Sequence, residues 1–97
     1  MHIGVCRLTL HLPDAHSLKD KRQVARSVTS RIRNQFNVAV SEAADNDLWQ
    51  RLTLVVCCVS NEGGHANEIL SRVVSFVTET RRDLEVLDYE TEIISGV

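Results

Sequence analysis

Between residues 2 and 12 the even positions Cys6, Leu8, Leu10 and Leu12 are apolar, while Arg7, Thr9 and His11 between them are polar. A period of two is that of a strand with one buried face. Pro13 ends the run, because proline donates nothing to a ladder and favours a turn at Pro13 and Asp14. Ser17 then stands three residues before Asp20, a relaxed capping box whose hydroxyl is placed to accept from the first free helix amides. The spacing that follows predicts a helix over 18–36. At 100° per residue Leu18, Val24, Ala25, Val28, Ile32 and Phe36 share a sector of about 120°, the width of a core-facing stripe.

Asn37 supplies a helix stop, and "VAVSEA" (38–43) alternates as a short strand. "ADNDLW" (44–49) reads as a turn-rich connection. "QRLTLVVCCVS" (50–60) is the most apolar and β-branched run, as in a central strand. "NEGGH" opens a second helix predicted over 65–81, with Ala66, Ile69, Leu70, Val73, Phe76 and Val77 at helical spacing. Arg81 and Arg82 fall at its end, where positive charge complements the helix dipole. The last run, 83–94, is an acidic strand with Leu87, Tyr89 and Ile93 on one face and Val86, Asp88, Glu90 and Glu92 on the other.

The order β-α-β-β-α-β is that of the ferredoxin-like α+β sandwich, here a single domain over residues 1–97. Right-handed crossovers put both helices on one side of a four-stranded antiparallel sheet, with the first and third strands central. The other sheet face is left open. It carries Ile3, Val5, Arg7, Thr9 and His11 beside Arg51, Thr53, Val55, Cys57 and Val59. About half of that surface is apolar, which is costly to leave wet at ~25 cal/mol per Å². Val5, Arg7, Val55, Cys57 and Val59 are therefore candidates for an oligomer interface, against the plainer reading of scattered surface valines. Ribonucleoprotein-type domains stack bases on aromatics of these two strands, and neither strand has one.

Composition alters this picture little. Ninety-seven residues, 43% hydrophobic and 25% charged, suit one globular core. No apolar run approaches a bilayer span, and the N-terminus lacks a leader pattern, so a cytoplasmic protein is expected. Cys6, Cys57 and Cys58 form an odd set without metal spacing, inside strands, and are expected to act as small apolar residues.

Charge changes it more. The formal net charge is −2, yet residues 1–36 hold seven Lys and Arg against two acids, while 37–97 hold four against eleven. On the first helix Lys19, Arg22, Arg26 and Arg33 fall in one narrow stripe about 120° from the apolar centre, and the stripe contains no acid. Lys21 projects nearer the apolar side, where its stem covers the core margin and its amine snorkels. Arg22 and Arg26 are like charges at i,i+4, and Lys19, Lys21 and Arg22 crowd the N-terminal turns, which favour anions. Two readings stand. Either Lys19, Lys21, Arg22, Arg26 and Arg33 bind a polyanion such as structured RNA, or the helix is solvated and relieved by Glu68 or Glu79 of its neighbour.

Other constellations are weaker. His11, Asp14 and His16 surround one turn without the spacing of a metal site. Gly63, Gly64 and His65 are too short for a phosphate-binding loop. Trp49 beside Arg51 offers a binding platform or, as the expected role, an anchor closing one end of the core. No catalytic arrangement is recognisable by spacing, so neither an enzyme nor a cofactor is expected.

"HSLKDKR", "RIRNQFNVAVSE", "DLWQR" and "CVSN", in this order and at these distances, resemble the YlxP-like family, domain of unknown function 503. The resemblance spans nearly the whole chain, and Ala39 stands where that family more often has Ser. It implies a ferredoxin-like fold in a bacterial protein. It also implies a setting near ribosome maturation or translation, since family genes often neighbour that of ribosome-binding factor A. No activity, cofactor or catalytic residue comes with it. The partner expected is structured RNA or a ribosomal subunit, or a second copy of the chain.

Overall fold

A computed structural model describes residues 1–43 and 48–97. The elements are β1 (His2–His11), α1 (Leu18–Gln35), β2 (Ala39–Glu42), β3 (Arg51–Ser60), α2 (Gly63–Thr80) and β4 (Glu85–Ser95). They form one antiparallel sheet in the order β2-β3-β1-β4, with the two apolar strands central. The expected ferredoxin-like sandwich is therefore observed. Of the "ADNDLW" connection, 44–47 lie outside the described residues.

The core follows the period-two and period-3.6 patterns. Cys6, Leu8, Leu10, Leu52, Leu54 and Val56 are buried beneath Ala25, Val28 and Ile32 of α1 and Ala66, Leu70, Val73 and Val77 of α2. Phe36 and Phe76 close one end edge to face, with ring centres 5.5 Å apart. The Ser17 hydroxyl accepts from the Asp20 amide at 3.1 Å, while the Asp20 carboxylate accepts from the His16 amide at 2.9 Å. The cap thus reaches one residue further back than an ordinary capping box.

Two boundaries differ from the sequence reading, each for a local reason. α2 begins at Gly63, inside the stretch expected to be a flexible entry. The Ser60 hydroxyl accepts from the Glu62 amide at 3.1 Å and bonds the His65 ring at 3.1 Å, tying down the turn that starts the helix despite glycine's poor propensity. In β4, Thr9 pairs with Asp88 but Leu10 pairs with Val86, so Leu87 is an extra residue in a bulge. One inserted residue reverses the alternation on its N-terminal side. Val86 consequently packs on the core and Leu87 is exposed, the opposite of the expected assignment.

Candidate nucleic-acid interface

α1 lies on the helix side of the sheet because Ala25, Val28 and Ile32 repeat along one face. That orientation turns Lys19, Arg22, Arg26 and Arg33 outward, and all four are exposed. From Lys19 to Arg33 the stripe runs about 21 Å at 1.5 Å per residue. Arg26 and Arg33 border a groove of about 440 Å³ between α1 and the edge strand β2, together with Thr29, Ser30, Asn34, Ser41 and Glu42. The Arg33 guanidinium donates to the Val40 carbonyl at 2.7 Å, which fixes it over the groove. Groups able to donate to phosphate oxygens thus line the groove, and among the described residues Glu42 is the one carboxylate that borders it.

Acids of the neighbouring helix do not relieve this stripe. Glu68 pairs with Arg72 on its own helix. Among the described residues no ion pair joins Glu68 or Glu79 to Lys19, Arg22, Arg26 or Arg33. Arg31 faces elsewhere, close enough to Asp83 to help hold that carboxyl ionised.

Lys21 does not belong with the stripe. It is 7% exposed, and its ammonium donates to the Leu48 carbonyl at 3.0 Å. The reason is angular: at 100° per residue it projects into the middle of the apolar sector, so its stem is core and its amine emerges at the far end. The expectation that Lys21 assists phosphate binding is corrected to a tie between α1 and the turn before β3.

Arg81 is structural, as its place at the end of α2 suggested. It is the C-cap residue, donates from Nε and Nη2 to both oxygens of Asp83 at 3.0 and 2.9 Å, and from Nη1 to the Ser27 hydroxyl of α1 at 3.0 Å. This fork holds the Asp83 carboxyl below the usual aspartate range.

On the open face the register sets Val5 beside Cys57, Arg7 beside Val55, and Ile3 beside Val59. Val59 is 63% exposed, and Ile94 of β4 continues the same apolar row. Glu90 lies across the ladder from Arg7, but among the described residues no ion pair closes between them. Cys6 and Cys58 are buried on the helix side, where burial pushes their thiols above the ordinary range. Cys57 is half-buried on the open face.

His11, Asp14 and His16 do not gather. His11 faces Glu85 at 3.7 Å, Asp14 borders a different hollow beside Asp20, and His16 is engaged through its backbone. Among the described residues no three His, Cys, Asp or Glu side chains are placed to hold a metal ion. No helix among them is long and apolar enough to cross a membrane. Trp49, expected to anchor the core, is instead 49% exposed.

The model of a family described as protein of unknown function (DUF503) matches residues 3–91. The chain is 36% identical over 75 residues to the uncharacterized protein YlxP of Bacillus subtilis (strain 168), covering 77% of this chain and 82% of that protein. Among solved structures, a mutant of SnoaB, a cofactor-independent oxygenase from Streptomyces nogalater, superposes with a TM-score of 0.47 at 11% identity. That match covers 98% of this chain and 91% of the other. A likeness at that level says nothing about activity. With the family model spanning most of the sequence and the YlxP relative agreeing with it, the chain belongs to the DUF503 family.

Proposed function

We propose that this protein is a non-enzymatic cytoplasmic accessory of ribosome assembly or translation that holds structured RNA by its phosphates along the outer face of α1. The supporting observation is the exposed row Lys19, Arg22, Arg26 and Arg33, which has no acidic partner among the described residues. Phosphate contacts of this kind position a backbone without reading its sequence. Affinity comes mainly from counterion release. The Arg22/Arg26/Arg33→Glu variant, checked for retained helix content, loses binding to structured RNA that the wild type retains at low salt. Equal binding by both proteins, or none by the wild type, sinks the proposal.

The apolar row on the open face supports a second reading, self-association through Val5, Arg7, Val55, Cys57 and Val59, with the basic helix merely solvated. Val55→Asp then returns the oligomer to monomer in light scattering. A wild type that is monomeric at high concentration contradicts this reading.

A further inference from the structure

We infer that the turn before β3 forms a pocket for one unpaired nucleotide, its base stacked on Trp49, an inference that rests on the RNA reading above and adds a second contact to it. Leu48, Trp49 and Leu87 are each about half exposed and lie together with His11, Gln50 and Arg51 around a hollow of about 370 Å³. That volume is at the lower end of small-ligand pockets and suits a base with its sugar. Three large apolar side chains left in water at one spot are costly, and an aromatic platform among them accepts the flat face of any base.

The chain on either side of Trp49 is tied down. Gln50 Nε2 donates to the Pro13 and Ala15 carbonyls at 3.4 and 3.3 Å, and the Leu12 amide donates to the Gln50 carbonyl at 2.8 Å. Lys21 fastens the Leu48 carbonyl to the first turns of α1. An anchored turn lowers the cost of ordering the backbone that presents the indole. The bulge in β4 completes the wall, since without its extra residue Leu87 faces the helices instead of the hollow.

Charge selects among flat ligands. Arg51 and His11 border the hollow, and Glu85 lies 3.7 Å from the His11 ring. Through Lys21 the pocket joins the end of α1 that carries Lys19 and Arg22. An apolar slot with the Arg51 guanidinium at its rim, at the same end of the molecule as the first turns of α1, fits a base whose phosphate lies beside a cation.

Trp49 is the chain's sole tryptophan, so its fluorescence reports on the pocket directly. An RNA hairpin with an unpaired loop quenches it, whereas a fully paired duplex of equal charge binds the α1 row without quenching. Trp49→Ala weakens hairpin binding about tenfold and leaves duplex binding unchanged, and Trp49→Phe restores most of the loss. Unchanged fluorescence with the hairpin, or equal weakening of hairpin and duplex, overturns the pocket while the α1 row stands. Absence of binding to either RNA by the wild type overturns both.

Discussion

Gly4 shows how tightly a single position is determined. It sits in the middle of the sheet beneath α2, and a Cβ there meets Leu70 Cδ1 at 2.9 Å, Cys58 Sγ at 3.0 Å and Ala66 Cβ at 3.4 Å. Leu70, Cys58 and Ala66 are all buried, so a shift of any of them disturbs the packed core. Overpacking of about 1–3 kcal/mol outweighs the ~0.4–1 kcal/mol that alanine gains by restricting the unfolded chain. Gly4→Ala therefore lowers the urea midpoint. An unchanged or higher midpoint contradicts this packing. Lys21 makes the complementary case: its angle on the helix already set its stem at the core margin, and its burial takes it out of the basic surface it was also expected to assist.

Between elements, the join of α2 to β4 rests on Arg81, whose guanidinium grips Asp83 and reaches Ser27 on α1. The Asp83 carboxyl is depressed, so it stabilises the fold fully above the ordinary aspartate range and loses that contribution as pH falls through its lower folded value. Asp83 is about half exposed, which limits the pair to at most about 1 kcal/mol. Asp83→Asn accordingly lowers the thermal midpoint slightly at neutral pH, with the gap closing in acid. A gap that persists well below the carboxylate range contradicts the assignment. Element order, the central strands and the α1 cap were legible because each rests on local periodicity or a short capping motif. The β4 bulge was not, since alternation carries no mark of where one residue is skipped, and it moved Val86 and Leu87 to opposite faces. Nor was the exposure of Trp49 legible, because an aromatic after a turn packs inward or outward according to tertiary ties such as those of Gln50 and Lys21.

At the scale of the molecule, the fold gathers part of the chain's opposite charges on different elements. α1 carries the cations outward, whereas Asp88, Glu90 and Glu92 lie along the outer strand of the sheet. The row along α1 gives a polyanion one attractive surface despite the net charge of −2. The central claim is that the cations of α1 contact phosphates, and the dependence of RNA affinity on salt measures how many do so. Four contacts predict a slope of log affinity against log salt of about −3 to −3.6, at about −0.7 to −0.9 per phosphate. Replacing Arg22, Arg26 and Arg33 by Ala leaves a slope of about −1 or less. A wild-type slope near zero, or the same slope for both proteins, contradicts the claim.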